Sequence, residues 1–231
     1  MIVVLANPQD AAARALVERW GAAGARLMLP GDLSVAGWQH HVGCEGEDWA
    51  VVGGEPVKTR EIRAVLTRLP MVREQDLSHI AADDRSYVAS EMNAFLISWL
   101  TRIRGTVLNR PSASSLMGPS LSHERWLMLA AAAGIPVGAA TYRAPRGVNV
   151  LSGASVTVVG DRCLGNVAPE LGAQALRLAE HAGVELITVR FSAPDGDGRL
   201  TSVDLLVDLS SDAIADAVLA RLTRFDKGKA S

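Results

Sequence analysis

The sequence predicts an α/β protein in two parts: a parallel, Rossmann-like N-terminal lobe, then an antiparallel α+β lobe. Three observations carry this. Short apolar runs alternate with helical patterns through the first half of the chain. Strand patterns separated by turn signals dominate the last third. The composition, 231 residues at 48% apolar and 21% charged, suits a chain that buries one large core or two small ones.

Residues 2–6 form a continuous apolar run stopped by Asn7-Pro8, a buried strand and a turn. Asp10 or Asn7 caps a helix through Gly21, with Ala12, Ala15, Leu16, Arg19 and Trp20 at helical spacing. Residues 25–29 give a second strand, ended by Pro30-Gly31-Asp32. Strand, helix and strand in so short a span make a βαβ unit, whose strands should be parallel. Residues 62–66 read as a further strand. Residues 83–104 are the clearest helix, with Tyr87, Glu91, Ala94, Phe95, Trp99 and Ile103 at i, i+3, i+4 spacing. Thr106-Val107-Leu108 is a brief strand, halted by Asn109-Arg110-Pro111. Ser122 starts a helix through Ala133 with Gly134 as its C-cap.

The later part differs in texture. Residues 154–159 are a strand, Gly160-Asp161 a hairpin signal, and 162–164 its return. An amphipathic helix over 169–182 follows, with Leu171, Ala175, Leu178 and Ala179 on one face. A strand over 184–191, a turn over 194–198, a strand over 203–209 and a helix over 211–225 complete it. The lobes are expected at 1–137 and 150–225, divided near 138–150, with a frayed tail after Asp226.

A formal charge of −2 offers nothing broad to nucleic acid or an anionic membrane. The apolar runs are too short for a membrane helix, and the opening residues lack the basic flank of a signal peptide. Two distant cysteines, Cys44 and Cys163, suit reduced thiols in a cytoplasmic protein. Of the 23 basic residues only Lys58, Lys227 and Lys229 are lysine, so none lies between Thr59 and Asp226.

The candidate ligand site is Arg68, Asn109 and Arg110. Each sits at a strand end, and ligands of open α/β sheets gather beyond the carboxyl ends of the strands. Two guanidiniums there could grip a carboxylate or phosphate through forked hydrogen bonds. The structural alternative is an Arg pairing with Asp83, Glu91 or another acid to tie loop to helix. Strand-end arginines are expected to keep some solvent. Asp195 and Asp197 read as turn residues rather than metal ligands. Adjacent His40 and His41 would point to opposite faces of a strand, and a surface or loop role is expected. Trp20, Trp99 and Trp126 read as core; Trp38 and Trp49 flank a poorly patterned segment and are expected to line a surface contact. No Ser-His-Asp spacing, phosphate-cradling loop or nucleic-acid motif stands out.

Several stretches follow one another as they do in ATP-grasp ligases: "IRAVLTRLP", "DRSYVASEMNAFLISWL", "VLNRP", "SHERWLMLAAAAGIPV", and late "VTVVGDRCLG" and "ELGAQALRLAEHAGVELITVRFSAPDGDGRLTSVDLLVDLS". The chain resembles that family, and most of all its ribosomal-protein glutamate ligases and peptide-modifying enzymes. The resemblance implies a Rossmann-like first lobe, a central lobe over the nucleotide, and a closing lobe that holds Mg²⁺. Fewer than twenty residues separate Val137 from Val156, too few for the central sheet. The lysines that would meet phosphates are lacking. Arg190 stands where the family's first metal-holding Asp is expected, Leu206 where its Glu is, and Asp208 where its Asn is. An Arg and a Leu cannot ligate Mg²⁺. The expected function is therefore a truncated, degenerate ATP-grasp-like pseudoenzyme with no catalytic or metal residues and no cofactor. It would bind a small acid, a peptide or a partner protein, as an accessory to a true ligase or as a homo-oligomer. The alternative is a minimal ATP- and Mg²⁺-dependent carboxylate–amine ligase in which arginines replace lysines.

Overall fold

The computed structural model describes residues 1–138 and 153–224. The chain divides into two units, residues 1–118 together with the stretch from Val218, and residues 119–217. The expected boundary near 138–150 and the frayed tail lie largely outside the described residues.

The first unit carries β1 (Ile2–Leu5), α1 (Ala11–Arg19), β2 (Ala25–Met28), β3 (Trp49–Val52), β4 (Glu55–Lys58), β5 (Ala64–Thr67), α2 (Arg85–Arg102) and β6 (Thr106–Leu108). Strands β2-β1-β5-β6, in that order, form one wholly parallel sheet. All four residues of β1 and of β5 are buried, as a parallel sheet covered on both faces requires. Asp10 caps α1, its carboxylate accepting from the Ala13 N–H at 2.9 Å. One core gathers Val3, Leu5 and Val65 of the sheet with Leu96, Trp99 and Leu100 of α2.

Sequence reasoning passed over the β3–β4 hairpin. Its turn is Gly53-Gly54, both at left-handed φ (62° and 82°), which only glycine adopts cheaply. Buried Asp32 clamps that turn: its carboxylate accepts from the N–H groups of Gly53 (3.2 Å), Gly54 (2.8 Å) and Leu29 (2.9 Å). Trp38 also differs from expectation. It meets Phe95 and Trp99 edge-on at 5.1 and 5.5 Å and donates its indole N–H to the Asp32 carbonyl. Gly105 is required by a close approach, since a Cβ there would stand 2.1 Å from the Arg63 carbonyl oxygen.

The second unit carries α3 (His123–Ala132), β7 (Ala154–Val159), β8 (Arg162–Leu164), α4 (Pro169–Ala182), β9 (Leu186–Phe191) and β10 (Leu200–Asp204); α5 (Asp212–Thr223) runs across the division. Its sheet, in the order β10-β9-β7-β8, is antiparallel. Trp126, Leu127 and Ala130 of α3 share a core with Val156, Val158, Leu171, Leu178, Val189 and Phe191. The helix read as the end of the first lobe thus belongs to the second core, because its apolar face is complementary to this sheet. Cross-strand partners Thr157 and Thr188 join their buried hydroxyls at 3.0 Å. Strand β10 ends at Asp204, ahead of the expected 203–209. The turn over 193–198 sets the pairing, with the Ser192 N–H bonding the Arg199 carbonyl and Leu200 opposite Phe191.

Candidate functional site

The carboxyl end of the parallel sheet positions the three expected residues, since β5 and β6 run side by side and end at Arg68 and Asn109-Arg110. Arg68 is only 8% exposed. Its Nε donates to the Asp10 carboxylate at 2.8 Å, with a longer contact at 3.4 Å from the guanidinium terminus. The expectation of a solvated strand-end Arg is corrected here: the residue lies under the N-terminal turn of α1, paired with the acid that caps it. The partner is Asp10 rather than Asp83 or Glu91. A carboxylate at a helix N-terminus is already favoured by the dipole, and the guanidinium completes its neutralisation.

Asn109 is buried (4% exposed) with φ 54°, and among the described residues no other non-glycine has positive φ. Asn tolerates that conformation better than any branched residue, and it turns the chain sharply at the sheet edge. Arg110 is exposed at its side chain, with long contacts of 3.4–3.5 Å to the carbonyls of Thr101, Ile103 and Gly105. It therefore lies across the C-terminal end of α2, where a cation is favoured by the dipole. The three residues share one sheet edge, and each is also engaged in shaping it.

A second cluster forms in the poorly patterned segment. His40 and His41 lie outside any strand, and both converge on Asp48. The His40 Nδ1 stands 3.1 Å and the His41 Nδ1 2.9 Å from its carboxylate, and the His41 backbone N–H adds a bond of 2.9 Å. Burial pushes the Asp48 carboxyl up, but these donors outweigh it and hold the group below the usual carboxylate range. The other ring nitrogen of His40, Nε2, lies 2.9 Å from Ser98 Oγ on α2. The His40 side chain is 5% exposed and packs edge-on to Phe95 at 5.6 Å. Sequence spacing could not reveal this set, because Ser98 lies 58 residues from His40.

The remaining candidates are separated. Asp195 ties its own turn, accepting from the Asp197 and Gly198 N–H groups. Arg190 pairs across β9 and β10 with Asp204 at 3.3 Å, both about half exposed. Leu206 is 54% exposed, and Asp208 accepts from the Ser210 N–H at 2.9 Å. Among the described residues no group of three or more His, Cys, Asp or Glu is arranged to hold a metal ion.

No family profile matches the chain, and no curated protein sequence does. Solved structures match along nearly its whole length. The macrocyclase MdnC of Microcystis aeruginosa, bound with the precursor peptide MdnA, aligns at TM-score 0.69 and 10% identity, over 97% of this chain and 100% of that one. The ATP-grasp ligase PsnB, complexed with a minimal precursor, Mg and ADP, aligns at 0.65 and 17% identity, over 96% and 98%. A RiPP-associated ATP-grasp ligase of Chryseobacterium gregarium, in complex with ADP and a leader and core peptide, aligns at 0.65 and 11% identity, over 96% of each chain. With a parallel sheet in one unit and an antiparallel α+β sheet in the other, this chain has the fold of the ATP-grasp ligases.

Proposed function

We propose that this protein is a binding relative of the peptide-acting ATP-grasp ligases, without nucleotide chemistry of its own. The observation that carries the reading is the state of the closing sheet. Where the resemblance expects a metal-holding Asp, Arg190 is paired with Asp204 at 3.3 Å, and Leu206 stands where a Glu is expected. A guanidinium repels Mg²⁺, and without that ion the charge of a triphosphate lacks its main counterweight. The segment between Val137 and Val156 is short for a nucleotide-covering lobe, and the sequence carries no lysine between Thr59 and Asp226.

What remains is a sheet edge built for an anionic group. Arg110 supplies the reachable cation, Asn109 the turn that presents it, and Arg68 a wall held in place by Asp10. Three of the structurally similar proteins are solved with precursor peptides, so a peptide carrying acidic side chains is the favoured ligand class, with a small acid or a partner ligase subunit as variants. The reading also makes the protein cytoplasmic. Among the described residues no helix is long and apolar enough to cross a membrane.

Calorimetry with and without Mg²⁺ tests the nucleotide half, and no heat of MgATP binding is expected up to millimolar concentration. Micromolar binding, or release of ADP above a heat-treated control, would establish the minimal ligase instead. For the binding half, Arg110→Ala should weaken capture of an acidic peptide by about 1.5–3 kcal/mol while the circular dichroism spectrum stays unchanged.

A further inference from the structure

The hydrogen-bonded order Asp48 carboxylate, His40 Nδ1, His40 Nε2, Ser98 Oγ, at 3.1 and 2.9 Å, is that of an oriented general base beside a hydroxyl. Nothing in the proposed peptide or nucleotide chemistry uses it. We propose that Ser98 is a nucleophilic serine, activated by His40 and oriented through Asp48, that takes an acyl group from a small activated ester.

The roles follow from the contacts. Asp48 receives the Nδ1–H of His40, which fixes the tautomer that leaves Nε2 free to accept the Ser98 proton. The His41 ring and backbone N–H brace the same carboxylate from its other oxygen, so it has little freedom to turn away. Phe95 and Asp48 exclude water from the imidazole, whose side chain is 5% exposed. Ser98 itself is half-buried, and Ala94, Thr101 and Arg102 around it on α2 are exposed, so an acyl donor can reach Oγ.

The chemistry also sets the substrate class. Ser98 is interior to α2, where backbone N–H groups are spent on helix hydrogen bonds and cannot stabilise an oxyanion. Amides, whose breakdown depends on such donors, are therefore excluded, and esters with a good leaving group are selected. In the step, Ser98 Oγ attacks the carbonyl carbon as its proton passes to His40 Nε2. The bond to the leaving alkoxide breaks, the alkoxide takes that proton, and an acyl-Ser98 ester remains. Water deprotonated by His40 then attacks the ester, and Ser98 departs with the proton restored.

The test uses the full chain with ethyl fluorophosphonate and with p-nitrophenyl acetate, followed by peptide mapping. The adduct should form on Ser98, about a hundredfold faster in the native protein than in His40→Gln, with a rate that rises with pH. Asp48→Asn should slow it, and Ser98→Ala should abolish it. Should His40→Gln unfold, Ser98→Cys provides the second readout: iodoacetamide should alkylate its thiolate faster at neutral pH in the native than in the urea-unfolded chain. Absence of a Ser98 adduct, equal labelling in native and unfolded protein, or a rate independent of pH would overturn the proposal.

Discussion

At the residue scale, position in sequence says which residue ends a strand but not what its side chain meets. Arg68 was visible as a strand-end cation, yet its neighbour Asp10 comes from the turn before α1. Removing the guanidinium leaves a part-buried carboxylate with its helix N–H bonds as support, so Arg68→Met should lower unfolding free energy by about 2–3 kcal/mol. The urea midpoint measures this, and an unchanged midpoint would mean that the pair is solvated. Asn109 gives a different test. Asn109→Ala must place a Cβ at φ 54° and should cost about 1–2 kcal/mol, whereas Asn109→Gly relieves the backbone share of that loss. If the glycine variant is the less stable of the two, backbone conformation is not what the position selects.

At the element scale, helix existence was legible and helix facing was not. The stripe Tyr87, Glu91, Ala94, Phe95, Trp99, Ile103 marks α2 correctly as a helix, but Tyr87 is 70% exposed. The residues that reach the core are Ala89, Leu96, Trp99 and Leu100. Apolar residues occur nearly all round this helix, so spacing alone cannot choose the buried side. The β3–β4 hairpin escaped notice for a related reason: it is short, contains a proline, and depends on Asp32, a distant residue whose three backbone bonds hold its turn. Asp32→Ala should therefore cost about 3 kcal/mol or more. Hydrogen exchange at Gly53 and Gly54 should accelerate selectively; protection equal to the native chain would remove Asp32 from this role.

At the scale of the whole molecule, each unit carries a carboxyl held below its usual range. Asp48 is held by the two histidines after burial is outweighed, and Glu124 chiefly by the Ser122 hydroxyl at the start of α3. A depressed folded pKa means that the unfolded chain binds more protons as pH falls. The stabilisation is thus complete above the ordinary carboxyl values of 3.8 and 4.5 and is lost as acid carries the groups through their lower folded values. Cys163 acts at the opposite end. Burial raises its thiol above 9.0, so stability present below that value is lost as pH climbs past it. Thermal midpoints should fall below about pH 5 and above about pH 9, and Asp48→Asn should flatten the acid limb. An acid limb unchanged by that substitution would contradict the assignment.

The order of the main strands and helices, apart from the β3–β4 hairpin, was determined by sequence alone, as were the parallel character of the first sheet and the antiparallel character of the second. The physical reason is local: β1 and β5 are short runs buried along their whole length, and the late strands are set off by turns that carry Gly160, Gly196 and Gly198. The likeness to ATP-grasp ligases was legible for the same reason, because motif order survives where identity has fallen to 10–17%. Only the tertiary structure decided that α3 joins the second core, that Arg68 belongs to Asp10, and that Asp48, His40 and Ser98 form one hydrogen-bonded chain. Each of these rests on contacts between residues distant in sequence, and side-chain hydrogen bonding at such separations has no periodicity for a sequence to display.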